Sequence, residues 1–272
     1  MQDDLAFYKA FMETPPLWEG VQFKMQQFAF PTLDLAQFKP TPIPGNIRLG
    51  HQIEHVFQQL LRYDASYEIL LHNIPIRRNK TTLGEIDFLL RRTSTLELIH
   101  VELTYKFYII DTSLGQVVKH LSGANRVDLF HKKLEKIQEK QFPLVDGPEA
   151  QAILKEHLIE DRANLQHHVC FKAQLFVPYA TSKLPSIAPL NPACIVGEWM
   201  SISVFKKRDF VRYDYYFPSK RERVLPPHKS VAWVAYNEAL ASLEHYMSQK
   251  KAVLLWQKQS ATVFKKFFIV WW

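Results

Sequence analysis

The stretch from Gly84 to Phe107, GEIDFLLRRTSTLELIHVELTYKF, places acids where packing residues would be expected. Asp87 and Glu102 sit inside two apolar runs, and Lys106 follows in the second. Aspartate is depleted in strands, because it packs poorly on a pleated, half-buried surface. Two carboxylates aimed at one point can hold a divalent cation for phosphodiester hydrolysis. Two acids on solvent-facing strand surfaces would give the same composition.

Register separates these readings. If Ser94 and Thr95 form a two-residue turn, Thr93 faces Leu96, and continued pairing brings Asp87 opposite Glu102. Facing Cβ atoms in an antiparallel pair lie about 4.5–5.5 Å apart. Like charges so placed cost stability unless something positive lies between them, and hard carboxylate oxygens suit Mg²⁺ or Mn²⁺. A slip of one residue would send the acids to opposite faces. Alternation puts His100, Glu102, Thr104 and Lys106 on one face of the second strand. Ile99, Val101, Leu103, Tyr105 and Phe107 take the other, which reads as the core face. Glu85 shares a face with Asp87.

Several elements must hold this hairpin. IRLGHQIEHVFQQLLRYD spaces Leu49, Ile53, Val56, Phe57, Leu60 and Leu61 at helical intervals. YEILLHNIPIRR reads as a strand, followed by the two strands of the hairpin. GANRVDLFHKKLEKIQEK is expected to be one amphipathic helix with Val127, Leu129, Phe130, Leu134 and Ile137 inward. PEAQAILKEHL predicts a second helix and HHVCFKAQLFVPY a fourth strand. This order predicts an α/β protein of α+β type, a mixed sheet covered by helices. Residues 1–46 read as an N-terminal arm with a short helix from Asp4 to Met12, and residues 47–180 as the core. Residues 181–272 read as an α+β elaboration packed on that core. In it CIVGEWMSISVF and DFVRYDYYFP read as strands, AWVAYNEALASLEHYMSQ as a helix, and FFIVWW as a buried closing strand.

Composition narrows the function classes. The chain has 272 residues, 47% hydrophobic and 22% charged, enough to bury a sizeable core. A formal net charge of +7 favours a polyanionic partner such as DNA or RNA. Neither a G-x-x-x-x-G-K-[S/T] nor a G-x-G-x-x-G loop occurs, so no nucleotide cofactor is expected. Cys170 and Cys194 form no C-x-x-C pair. His167 and His168 are adjacent on a strand and point to opposite faces, which argues against zinc. The N-terminal stretch has acids where a signal peptide needs basic residues, and no apolar run is long enough to span a bilayer. A cytoplasmic protein without a membrane partner is the expectation. Lys206, Lys207 and Arg208, with Lys220, Arg221 and Arg223, flank the aromatic DYYF, a mixture suited to phosphates and bases.

Taken in order, the helix with Glu54, the strand GEIDFLL and the strand VELTYKF resemble the PD-(D/E)XK nuclease superfamily over roughly Leu49 to Pro178. That resemblance implies a restriction-endonuclease-like α-β-β-β-α-β core and a Mg²⁺- or Mn²⁺-dependent nuclease. It implies Glu54, Asp87 and Glu102 as metal-binding acids, with the Leu103 carbonyl as a further ligand. The superfamily lysine follows its glutamate by two positions, where this chain has Thr104; Lys106 lies further along the same face. Lys106 is thus the candidate catalytic lysine, with Lys119, Lys132 and Lys133 as alternatives. A nuclease fold that has lost catalysis and binds nucleic acid or protein is the other expectation. More closely, GEIDFLL, HVELTYKFY, GANRVDLFHKKLEKI, KQFPL, KAQLFVPY and GEWM are similar to a bacterial domain-of-unknown-function family, number 1853.

Overall fold

A computed structural model describes residues 2–111, 117–157, 159, 165–182 and 186–272; the side chains of residues 2–4, 117 and 208 lie outside that description. Helix α1 (Gln2–Glu13) precedes the short strands β1 (Val21–Gln22) and β2 (Met25–Gln27). Then come α2 (Leu49–Tyr63), β3 (Tyr67–Arg78), β4 (Thr81–Arg92) and β5 (Leu98–Ile110). A turn of helix α3 (Val117–His120) and the short β6 (Leu121–Ser122) lead to α4 (Phe130–Lys136), α5 (Pro148–Glu156) and β7 (Gln166–Pro178). The remaining chain forms β8 (Ile195–Ser201), α6 (Ile202–Phe205), β9 (Asp214–Tyr216) and β10 (Val234–Ala235). It ends in α7 (Tyr236–Ser248), β11 (Val253–Lys258) and β12 (Phe264–Val270). The fold is mixed α/β, as expected. Among the described residues, no helix is long and apolar enough to cross a membrane.

The chain divides into two compact units. The first contains Met1–Tyr105 and Lys132–Lys172, the second Lys106–His131 and Ala173–Trp272. The cuts fall inside β5 and β7, so each strand contributes residues to both units.

In the first unit β3, β4 and β5 pair antiparallel. The β4–β5 ladder joins Phe88 to Val101, Leu89 to His100, Leu90 to Ile99 and Arg91 to Leu98. This is the register expected from sequence, reached through a different turn. Arg92 N donates to the Glu97 carbonyl at 2.9 Å, and Thr93–Leu96 form the loop, with Leu96 at φ 59°. A longer loop centred on the same Ser94–Thr95 bond leaves the pairing unchanged.

Both faces of β5 are covered in this unit, the polar one as well as the expected core one. On one side Phe57 of α2 meets Phe88 at 4.7 Å, and Phe11 of α1 lies 6.5 Å from Tyr105. On the other, Val145, Ala150 and Leu154 cluster with Leu89 and Leu98, and Phe142 stands edge-on to His100. Helix α2 forms as its spacing predicts, burying Ile53, Val56, Phe57, Leu60 and Leu61, with Arg62 favourably placed at the negative end of its dipole.

The helix expected from Gly123 begins only at Phe130. The preceding residues form a tight turn in which Gly123 N donates to the Asp128 carbonyl and Arg126 N to the Gly123 carbonyl. Arg126 adopts φ 59°, and Val127, expected inward, is 85% exposed. The local turn of a Gly-Ala-Asn-Arg-Val-Asp run outcompetes helix initiation. Further on, α4 widens into a π turn, Ile137–Gln141, closed by Phe142 N to the Ile137 carbonyl at 2.9 Å. Helix α5 ends at Glu156; the expected last residue, Leu158, lies outside the described residues.

In the second unit β8 runs parallel to both the end of β7 and β12, while β11, β9 and β10 add antiparallel. The sheet is therefore mixed. Leu255, Phe267, Ile269 and Tyr215 pack with Phe205 of α6 and Ala239 and Leu243 of α7. β12 is the buried strand expected from FFIVWW, ending at Val270 and paired with β8 and β11. The expected long strand through Ser201 stops there, because the Ser201 hydroxyl accepts from Val204 N and caps α6. Gly197 of GEWM is required by a close approach: a Cβ would strike the Lys266 carbonyl and lie 2.9 Å from the Phe176 ring.

Candidate functional site

Glu102 lies in the middle of β5 with no exposed surface. Its Oε2 accepts a hydrogen bond from Gln141 Nε2 at the end of the π turn. Its Oε1 is buried without a hydrogen-bond donor among the described residues; His100 Nε2 lies 3.2 Å away, outside bonding alignment. Burial pushes the Glu102 carboxyl up to about 7, against the pull of Lys133 and Lys136. Asp87 stands on β4 one step beyond the Phe88–Val101 pair, and its Oδ2 accepts from Leu103 N at 2.9 Å. Burial, and then the charge of Glu102, raise its carboxyl well above the usual range; the Leu103 N–H and Lys133 oppose this. Glu102 thus adds to the rise at Asp87, which lies one step along the strand from the Phe88–Val101 pair. Burial makes their shared negative charge costly without a proton or cation.

Glu54, on α2, is tied to the neighbouring strand. Its Oε2 accepts from Asn73 Nδ2 and meets His51 Nδ1, each at 3.0 Å. That contact holds the exposed His51 above its ordinary value. Asn73 lies on β3 between the pairs His72–Phe88 and Ile74–Ile86, and so beside Asp87. It adopts φ 52°, a left-handed conformation that asparagine tolerates better than other side chains. Its Oδ1 is a second buried oxygen without a donor among the described residues. Glu54 acts on Asp87 electrostatically. Among the described residues, however, no three His, Cys, Asp or Glu side chains converge as a ready-made ligand shell.

The lysines divide. Lys106 Nζ contacts Asp128 Oδ2 at 2.5 Å within the second unit. Lys132 pairs with Glu135 at 2.7 Å on the surface. Lys133 is the cation that acts on both Asp87 and Glu102, and its Nζ donates to Gln141 Oε1 at 3.3 Å. Gln141 thus links the ammonium to Glu102. Thr104, two positions after Glu102, is buried with its hydroxyl unpartnered among the described residues.

Burial drives His100 down to about 4, so it is neutral near pH 7. Its Nδ1 lies 3.1 Å from His167 Nδ1, one nitrogen donating and the other accepting. His168 contacts Phe28 instead, so the two adjacent histidines are separated as strand alternation requires. Of the basic clusters, Lys206 pairs with Glu244 and Arg223 is largely buried; the Arg208 side chain lies outside the described ones.

Sequence reasoning missed Asn73 and Gln141. Asn73 left a readable signal, a polar residue inside YEILLHNIPIRR, of the same kind that exposed Asp87. Gln141 left none, because it reaches Glu102 only through the π turn.

The geometry defines a mixed α/β protein with a buried carboxylate pair held by a hairpin and a π turn. A family model described as "Domain of unknown function (DUF1853)" matches residues 28–266, and the chain belongs to that family. No curated protein and no solved structure matches the chain.

Proposed function

We propose that this protein is a divalent-metal-dependent nuclease-like phosphodiesterase of the PD-(D/E)XK type, acting on DNA or RNA. The observation that carries the reading is the buried Asp87–Glu102 pair, one strand step from the Phe88–Val101 pair, whose carboxyls burial raises and on both of which Lys133 acts as an opposing charge. The residues fit a hard cation. Glu102 Oε1 and Asn73 Oδ1 are buried oxygens lacking donors among the described residues, and two carboxylates supplemented by water suit Mg²⁺ or Mn²⁺. Asp87 and Glu102 would hold the ion directly, with Glu54 adding negative charge. Such an ion, when bound, supplies neutralisation of the pair and acidification of bound water.

The chain's own groups do the rest. The Leu103 N–H orients Asp87, and Gln141 fixes Glu102. Lys133 offers positive charge to an anionic phosphate, the part first assigned to Lys106. The net charge of +7 supports a nucleic-acid substrate.

A second reading, a nuclease-like protein that binds nucleic acid or a protein without cleaving, is favoured by Thr104 in the lysine position and by Lys106 engaging Asp128. One experiment separates the two. Single- and double-stranded DNA and RNA are incubated with Mg²⁺ or Mn²⁺ and either wild type or the Asp87→Ala, Glu102→Ala double variant. Cleavage by wild type alone is expected. Metal binding without cleavage of any substrate would leave the second reading.

A further inference from the structure

A pocket of about 570 Å³ lies in the first unit, where the N-terminal arm crosses β7. That volume falls within the roughly 300–1,000 Å³ typical of small-molecule sites. Two stretches of the arm pair with β7 and wall the space. Pro16 bridges Lys172 in the antiparallel sense, and Leu17 N donates to the Phe171 carbonyl at 2.8 Å. β2 runs parallel to β7, with Gln26 beside His168 and Gln27 beside Val169. Trp18, Phe28 and Phe30 supply aromatic walls. Ala29 is exposed at the rim, and so is Glu19, the one acid of the lining. Two polar side chains of the lining, Gln27 and Lys172, are each only 5% exposed. Lys172 shares a face of β7 with Cys170, which also lines the pocket. The Lys172 ammonium donates to the Met12 carbonyl at 3.4 Å and to the Thr14 carbonyl, and stands 4.9 Å from the centre of the Phe11 ring. Its charge is felt at the wall: burial pushes the Cys170 thiol up to about 12, and Lys172 opposes that rise. Gln27 Nε2 donates to the Phe171 carbonyl at 3.3 Å, while its Oε1 is buried without a donor among the described residues.

Each feature selects one part of a ligand. A buried ammonium favours an anion, and the bond between them is charge-assisted. A buried amide oxygen costs free energy until a donor reaches it. Aromatic walls favour a flat, apolar body. We infer that this pocket binds a small planar apolar molecule that carries an acidic group and an N–H donor. Lys172 meets the acid, Gln27 Oε1 accepts from the N–H, and Trp18, Phe28 and Phe30 enclose the rings. The binding asks nothing of Asp87 and Glu102, so it stands apart from metal and hydrolysis.

The test uses two fluorescent probes. Anilinonaphthalene sulfonate has the flat rings, the N–H and the acid; N-phenylnaphthylamine has the same rings and N–H without the acid. The wild type is expected to bind the sulfonate saturably, one molecule per chain. Lys172→Met keeps the stem and removes the charge. It should weaken the sulfonate about tenfold, worth about 1.4 kcal/mol, and leave the neutral probe within about twofold. Ala29→Asp adds a negative charge at the exposed rim, where the fold tolerates it. It should weaken the sulfonate about threefold and spare the neutral probe, so the charge argument is decided even if Lys172→Met does not fold. Ala29→Trp narrows the mouth and should weaken both probes. The Asp87→Ala, Glu102→Ala variant should bind as wild type, so failure of the hydrolytic reading leaves this result untouched. No saturable binding to the wild type, equal effects on both probes in a folded Lys172→Met or in Ala29→Asp, or undiminished binding in Ala29→Trp would each overturn the inference.

Discussion

Each unit buries charge, and the two do so in opposite ways. In the second unit Lys266 is almost fully buried, yet its ammonium donates to Gln174 Oε1 at 2.5 Å and to the Arg223 carbonyl at 2.6 Å. The Trp256 and Phe107 rings lie 5.0 and 5.7 Å from it. In the first unit, by contrast, Glu102 acts as a like charge on Asp87, and it keeps one buried oxygen without a donor among the described residues. A buried ammonium given two hydrogen-bond acceptors is a structural device, even though burial and the neighbouring Arg223 still depress it. On the proposed reading, a buried pair of like charges left short of donors serves to bind a cation.

The contrast predicts opposite responses to mutation. The largest effect is expected at Lys266. Lys266→Ala removes a packed stem and strands two acceptors, and should cost about 3–5 kcal/mol in urea unfolding. Lys266→Met keeps the stem and should cost roughly 2 kcal/mol, leaving the acceptors unpaired. Glu102 is equally buried, yet Glu102→Gln should change stability by no more than about 1 kcal/mol in metal-free buffer, because the amide keeps the shape and removes the repulsion. A loss at Glu102 as large as that at Lys266 would erase the distinction.

The pH dependence sharpens it. Glu102 titrates near 7 in the folded state against an ordinary 4.5, so between those values the folded chain binds more protons than the unfolded one. Stability from this group is present below 4.5 and falls as pH rises to about 7; Asp87 acts in the same direction. Lys266 is depressed from 10.5 to about 7, so the unfolded chain binds more protons across that window. Its contribution rises with pH from about 7 to 10.5. Glu102→Gln should flatten the acid limb, and Lys266→Met the alkaline limb, in melts followed by circular dichroism. The smallest effect is expected from Lys133→Met, which removes an opposing cation and should move the Glu102 carboxyl above 7 by carbon NMR.

Much of the carboxylate site was legible because a strand has a period of two. Once a turn is centred on Ser94–Thr95, the register follows, and an actual loop of different length about the same centre preserved it. Helix α2 was equally readable from its apolar spacing. Contacts made by irregular backbone were not. The π turn that delivers Gln141, the left-handed Asn73 and the turn that displaces α4 from Gly123 depend on neighbours no local pattern encodes. The unit boundaries inside β5 and β7 were hidden for a related reason, since composition does not change within a continuous strand. Lys106 shows the limit of face assignment: alternation puts it on the Glu102 face, but the chain's return at Asp128 decides its partner.

Calorimetric titration of Mn²⁺ into the wild type and Glu102→Gln, each at pH 7.5, tests the central claim most directly. The account predicts saturable binding to the wild type, accompanied by release of protons from the raised carboxyls, and loss of that binding in the variant. Equal heats from both proteins, or no binding to the wild type, would contradict it.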